Sequence, residues 1–504
     1  MRFNVTTEGK NKTVNYEREL SYRMSPEWEL YTSAVTSSLS DKFYERADTR
    51  VKRLRELVAE CDPVFVAQLA VYTRHKMNMR SVPMVLAVEL AKIHRGDSTV
   101  CKMVSGIVQR ADEITELLAY YQMANTRMNT KKLNRLSKQI QAGLQDSFNR
   151  FDEYQFAKYN RDAEVKLRDA LFLVHPKAKD EAQQALFNKI VNNELETPYT
   201  WETELSALGQ KKFFFDYMKK KAFRTKWEEL IDSRKVGYMA LMRNLRNILA
   251  AEVSKQHINS VCETLSNGDA VRRSRQLPFR FLSAYREISK VNSAYAGRLL
   301  DALEKAVSVS AENIAGFDED TTVLIACDVS GSMQHPVSPN SKILFYDIGL
   351  MLAMLLKSRC KNAITGMFGN IWKVINVPTQ GILSNVDAFY RREGEVGYST
   401  NGYLVIEDLL NNKQQIDKVM MFTDCQLWNS NNDIKITNLW NDYKKISPNS
   451  KLYLFDLSGY GNTPLDITRD DVYLIAGWSD KVFDIIAAID RGGDALAEIK
   501  ETEL

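Results

Sequence analysis

The sequence predicts a multidomain chain: an all-α, HEAT-like solenoid over residues 1–316, followed by an α/β domain with a doubly wound, mostly parallel sheet over residues 317–504. Three observations carry this reading. Through the first part, apolar residues recur three and four positions apart, the helical period. After GFDEDT, short apolar runs that read as strands buried on both faces alternate with helical segments. The charge divides at the same place: residues 1–315 hold 51 Lys+Arg against 39 Asp+Glu, a net +12, and residues 316–504 hold 17 against 25, a net −8. A length of 504 residues exceeds one ordinary domain.

Composition narrows the class. With 44% hydrophobic and 26% charged residues the chain has the balance of a soluble globular protein. No run approaches the ~18 consecutive apolar residues of a membrane helix, and the start, MRFNVTTEGKNKT, lacks the apolar core of a signal peptide. Cys61, Cys101, Cys262, Cys327, Cys360 and Cys425 are scattered without a CxxC pair. That predicts reduced thiols in a cytoplasmic protein.

The helical segments follow in order. FVAQLAVYTRHKMNM, SVPMVLAVELAKIHR, VKLRDALFLVH, YMALMRNLRNILAAEV and PFRFLSAYREISKV each carry an apolar stripe. Pro63, Pro83, Pro176, Pro198 and Pro278 sit at expected helix starts or joints, where a missing N–H costs little. Hardly a strand is expected in this part. More than ten amphipathic helices without strict repeat suggest an irregular solenoid; the same period also suits a compact bundle.

In the second part TTVLIACDVS reads as a strand, SKILFYDIGLMLAMLLKSR as a helix, and NAITGMFGN and IWKVINVP as two strands. LSNVDAFYRR and YLVIEDLLNN are helices. DKVMMFTD is a strand, ITNLWNDYKKI a helix, KLYLFDLS and DVYLIAGW strands, and KVFDIIAAI a final helix.

The first of these strands ends in LIACDVSGSM, which places Asp328, Ser330 and Ser332 at alternate positions past its end. In an open α/β sheet that is where ligands bind. Three oxygen-bearing side chains around Gly331 can converge on one hard cation, with Mg²⁺ or Mn²⁺ fitting better than zinc. His335 is near, but no Cys/His cluster has zinc spacing. A nucleophile elbow fails because Asp328 and Val329, not a GxSxG pattern, precede Ser330, and a Walker A loop is absent. An aspartyl-nucleophile phosphatase would want a second carboxylate where Ser330 stands. Helix capping by these side chains is the structural alternative.

The DxSxS pattern resembles the metal-ion-dependent adhesion site of von Willebrand factor A domains. That family adds a threonine from a second loop and an aspartate after a later strand. GYSTNGY supplies Thr400, with Ser399 as the other choice of register, and VMMFTDCQ supplies Asp424.

The first 310 residues resemble the TROVE module of the Ro autoantigen family. YTWETELS, KWEELIDS and YMALMRNLRNIL look like its central block, RRSRQLPFRFLSAYREI like its last helices, and FVAQLAVYTRHKMNMRSVPMVLAVELA like its early helix pair. The order of modules and the length match the family, and the short loops match a bacterial-type or phage-type member. The resemblance implies a closed monomeric ring of helices completed by the adhesion-type domain. It also implies binding of small noncoding Y-like RNA on a basic outer surface and of single-stranded 3′ ends of misfolded RNA, in RNA quality control or processing. Some bacterial members work with an exoribonuclease, polynucleotide phosphorylase.

The residues support polyanion binding beside that resemblance. KYNRDAEVKLRDALFLVHPKAK gathers Lys158, Arg161, Lys166, Arg168, His175, Lys177 and Lys179, and such contacts to phosphate give salt-dependent affinity. By resemblance, His175 and Lys158 match RNA-contacting positions and Arg161 lies one out of register; a histidine before Pro176 also reads as a helix-end cap. Arg272, Arg273 and Arg275 form a second basic cluster, or a solvated face. Two functions follow: a noncatalytic RNA-binding protein, or a metal-dependent adhesion scaffold in which the cation captures a partner's carboxylate. No nucleophile–base pair or nuclease carboxylate cluster supports an enzyme.

Overall fold

The computed structural model describes residues 11–37, 45–125, 136–160, 164–312, 314–315, 317, 320–428 and 435–504. The chain forms two compact units that interleave along the sequence: one of residues up to Leu57, Lys76–Asn78 and Cys262–Glu498, the other of Val58–His75, Met79–Val261 and Ile499–Leu504. Among the described residues, no helix is long and apolar enough to cross a membrane.

The second unit is built from helices. Pro63–His75 packs on Ser81–Ile93 and on Thr99–Ile107, Ser81–Ile93 packs on Ala111–Ala124, and Ala111–Ala124 packs on Leu167–Val174. Each helix thus buries its stripe against elements close in sequence, as in a solenoid. Local signals fix the ends. Asp152 accepts from the Gln155 amide at 2.7 Å while the Gln155 side chain accepts from the Asp152 amide, a capping box at the start of Glu153–Tyr159. The expected single helix over residues 238–253 is two, Tyr238–Arg243 and Leu245–Ala250. Asn244 interrupts it, with its side-chain amide donating to the Ala240 carbonyl, the local competition that disfavours asparagine inside helices.

Two helices come very close at Gly143. There Lys138–Phe148 lies so near Thr99–Ile107 that a Cβ would fall 2.6 Å from the Cys101 carbonyl oxygen and 2.7 Å from the Val104 Cβ.

The first unit holds the sheets. In chain order the strands are β1 (Lys12–Val14), β2 (Leu20–Arg23), β3 (Thr322–Asp328), β4 (Asn362–Phe368), β5 (Trp372–Val374), β6 (Lys418–Thr423), β7 (Lys451–Asp456), β8 (Asn462–Thr463) and β9 (Val472–Ala476). The main sheet runs β5-β4-β3-β6-β7-β9, parallel apart from the β5 edge. The apolar strand runs are buried on both faces as their composition requires. The strand expected over IWKVINVP is only three residues long, ending well before Pro378.

Two strands in the first part were not expected. β1 and β2 form an antiparallel hairpin, and β2 pairs with β8. KTV and LSYR are too short and too polar to show a strand period, and the second partner of β2, β8, lies more than 400 residues away. The helices Pro26–Val35, Pro278–Ile288 and Ala296–Val309 also belong to this unit. The first packs on β9; the other two pack on the sheet-flanking helices Phe345–Lys357 and Ile382–Tyr390. The compact unit around the sheet is therefore larger than residues 317–504, because helices that precede Phe317 in sequence bury their apolar stripes within it.

Gly143→Ala should lower the stability of the helical unit by about 1–3 kcal/mol, the usual cost of overpacking where the neighbour is backbone. Chemical denaturation checks this; an unchanged midpoint would show that the two helices separate freely.

Candidate functional site

In the main sheet the chain leaves β3 for β4 on one side and returns to β6 on the other. The carboxyl ends of β3 and β6 therefore flank the switch point, where open sheets place their ligand crevice. Asp328 ends β3 and Asp424 follows β6. The parallel register aligns Cys327 with Phe422, which brings Asp328 beside Thr423. The Thr423 hydroxyl donates to Asp328 Oδ2 at 2.7 Å, and the Ser330 amide donates to Oδ1 at 2.9 Å. Ser330 Oγ and Ser332 Oγ lie 3.2 Å apart. The Gly331 amide donates to the Tyr398 carbonyl at 3.0 Å, tying the serine loop to the loop that carries Thr400. The Thr400 carbonyl accepts from the amides of Gly402 and Trp428, so that loop is joined to the one after β6.

Asp328, Ser330, Ser332, Thr400 and Asp424 are all buried. Ser399 is only half-buried and its amide is held by Asn370 Oδ1; Thr400 supplies the buried hydroxyl. Among the described residues, Thr400 Oγ1 and Asp424 Oδ2 have no hydrogen-bond partner. A buried polar atom left unpaired costs about 1–3 kcal/mol, so two in one cluster mark a place built for something else. Neither Asp328 nor Asp424 forms an ion pair among the described residues. Burial pushes Asp328 up to about 6. Burial, with the Asp328 charge added, pushes Asp424 up to about 7. Two carboxylates with hydroxyl partners and no cation to balance them fit a hard divalent ion. Among the described residues no three His, Cys, Asp or Glu side chains gather as a metal cluster, so the donors here are mainly hydroxyls. Sequence reasoning missed Thr423, the hydroxyl that fixes Asp328, and Asp456. The Asp456 Oδ1 accepts from the Ser458 and Gly459 amides, and its charge raises Asp424 further. Only the register of β3, β6 and β7 reveals both.

The predicted basic residues are distributed between the units. Lys158, Lys166, Arg168, His175 and Lys177 belong to the helical unit; Arg272, Arg273 and Arg275 belong to the sheet-bearing unit. Arg161 lies outside the described residues. Lys166, Arg168, His175 and Lys177 are exposed. His175 closes the helix Leu167–Val174 in the left-handed conformation, φ 50°, its amide donating to the Leu171 carbonyl. The cap is made by backbone, and the imidazole is left at the surface. Lys158 is half-buried, its ammonium 5.6 Å and 5.5 Å from the ring centres of Tyr154 and Tyr159. Arg168 lies over Phe172 at 5.8 Å. Arg272 is engaged by Asp269 at 3.0 Å and Glu312 at 2.6 Å, which lowers its availability to phosphate.

The TROVE domain profile matches residues 27–222 and 193–298, more than half of the chain. The chain belongs to the TROVE-domain family. That family binds RNA. The TROVE chain is 24% identical over 345 residues to telomerase protein component 1 of Rattus norvegicus and 25% identical over 346 residues to that of Mus musculus. Each match covers 52% of this chain but only 13% of the relative's length. The crystal structure of the Deinococcus radiodurans Ro (RSR) protein matches 93% of this chain and 100% of its own, at a TM-score of 0.57 and 18% identity. At that identity the likeness shows the fold alone: a helix-rich chain that also carries a mostly parallel sheet flanked by helices.

Metal-free protein should show a pH dependence of known sign. Burial and the Asp328 charge raise the Asp424 carboxyl from its ordinary 3.8 to about 7 in the folded chain. Its contribution is therefore fully present below about 3.8 and is lost as pH rises through 7. In chelator, Asp424→Asn should gain melting temperature over wild type on going from pH 5 to pH 8. A constant difference across that range would mean the carboxylate is already compensated.

Proposed function

We propose that this TROVE-family protein is a noncatalytic RNA-binding protein that holds small noncoding, Y-like RNA on the basic surface of its helical unit. It accepts single-stranded 3′ ends of misfolded RNA and presents them for quality control or processing, with an exoribonuclease as partner. One observation carries the reading: Arg168, His175 and Lys177 stand exposed within the TROVE-matched residues, with the imidazole of His175 freed from the cap that its backbone makes. Exposed cations of this kind bind phosphates through counterion release and carry little sequence information.

The orphaned oxygens of Thr400 and Asp424 favour a second, compatible reading: Asp328, Ser330, Ser332, Thr400 and Asp424 hold Mg²⁺, or Mn²⁺ in its place. Such an ion, when bound, would supply a Lewis-acidic position able to take a carboxylate from a partner protein, as an adhesion scaffold requires. The protein's own residues neutralise and orient: Thr423 and the Ser330 amide fix Asp328, and the two serine hydroxyls sit side by side.

Replacing Lys158 and His175 together by glutamine should weaken binding of a tailed, structured RNA several-fold and flatten its salt dependence. The variant should stay folded with only a small loss of melting temperature, since Lys158 gives up cation–π contacts of about 0.5–1 kcal/mol. Electrophoretic mobility shifts across a salt series check this; unchanged binding sinks the assignment of those two residues.

Millimolar Mg²⁺ should raise the melting temperature of the wild type and leave Asp328→Ala unmoved. An ion that binds only the folded state adds about 2.7 kcal/mol at a hundredfold excess over its dissociation constant. Equal shifts in both proteins would reduce the cluster to a loop cap.

A further inference from the structure

We propose that residues 211–224, with the cavity beside them, form a separate site for an unpaired stretch of RNA, which stacks its bases on exposed aromatic rings and places its phosphates on lysines. It rests on the RNA-binding reading above and adds to it a place and a binding mode.

The stretch reads KKFFFDYMKKKAFR. Phe214 is 92% exposed, Tyr217 67% and Phe215 62%. Three large rings in four residues, all facing water, form the kind of patch that folded proteins keep for a ligand. The Phe215 and Tyr217 rings stack, with centres 5.8 Å apart and planes 20° from parallel, so they offer a flat outer face. Lys211, Lys212, Lys219, Lys220 and Lys221 are exposed and make no ion pair among the described residues, while Asp216 is the one acid of the stretch. Arg224 is held by Glu228 at 3.2 Å.

Behind this strip lies a cavity of about 680 Å³. It is lined by the apolar Leu205, Phe223 and Trp227 and by the basic Lys219, Lys220, Lys221 and Arg224, with Glu252 the one acid. That volume is in the range of small-molecule sites and accommodates a flipped-out nucleotide. Aromatic platforms beside a positively charged groove are how proteins take single strands without sequence preference, each stacked base contributing. A membrane surface would also accept lysines and rings. It would need a free apolar face along the helix Asp216–Asp232, but Trp227, Leu230 and Ile231 of that helix are buried in the unit. An acidic peptide would match the lysines and leave the stacked rings uncovered.

Fluorescence anisotropy with a labelled ten-nucleotide oligouridine, a blunt RNA hairpin and vesicles of phosphatidylcholine with phosphatidylserine tests the proposal on the full chain. The variant Phe214→Ala/Phe215→Ala/Tyr217→Ala should lose at least tenfold in oligouridine affinity with its salt slope unchanged. Lys219→Gln/Lys220→Gln/Lys221→Gln should reduce the slope of log affinity against log salt by about 2, at ~0.7 per phosphate for single strands. Hairpin binding should survive the aromatic variant. Phe214→Ala alone, at the most exposed ring, should lose a smaller share and serves if the triple variant misfolds. Wild-type oligouridine affinity in a folded aromatic variant overturns the site while leaving RNA binding in place. Vesicle binding that the aromatic variant abolishes, with oligouridine binding intact, overturns it in favour of a lipid surface. A wild type that binds neither RNA removes both this site and the reading it rests on.

Discussion

The parallel pairing of β3 with β6 is the constraint on which the candidate metal centre depends. It aligns Cys327 with Phe422 and so sets Asp328 against Thr423, whose hydroxyl anchors the carboxylate. A slip of one residue would turn every side chain of β6 to the other face and carry Asp424 away from Asp328. The serine loop and the Thr400 loop are then held by backbone hydrogen bonds around that fixed pair, and the turn at Cys425, φ 62°, by its amide donating to the Thr423 hydroxyl and the Gln426 amide donating to Asp424 Oδ1. Two acids are thereby kept buried and close, at a cost the sheet register enforces.

That arrangement was legible in the sequence to the extent that it is local. β3, β6, β7 and β9 are apolar on both faces, so their runs show plainly. Asp328, Ser330 and Ser332 sit together in the chain, and Asp424 follows an obvious strand. Thr423 and Asp456 carry no such mark, because their roles come from register between strands and not from neighbours in sequence. The β1–β2 hairpin escaped for the same reason. Its pairing with β8 and the bond from the Asn15 side chain to the Leu427 carbonyl at 2.7 Å span more than 400 positions. The helix break at Asn244 depends on a single side-chain hydrogen bond that periodicity does not register.

The basic residues show the opposite limit. Charge clusters are visible in any sequence, but availability is not. Arg272 looked equivalent to Arg168, yet it is held between two carboxylates while Arg168 lies over a phenyl ring. His175 looked like either a cap or a contact; backbone geometry lets it be the cap while exposing its ring. At residues 211–224 it is the exposure of Phe214, Phe215 and Tyr217 that distinguishes them from core aromatics.

The two kinds of site answer to different physics, which makes them separable in one chain. Exposed lysines act in high dielectric, where a Debye length near 8 Å at physiological salt screens them and counterion release dominates. The buried acids act where screening is weak and desolvation dominates, as the upward shifts of Asp328 and Asp424 show. Salt therefore tunes the first and leaves the second nearly untouched, while protonation bears on the buried acids of the second. Under the proposed function, each site therefore has its own control variable, and RNA at one would not require a carboxylate-bearing partner at the other.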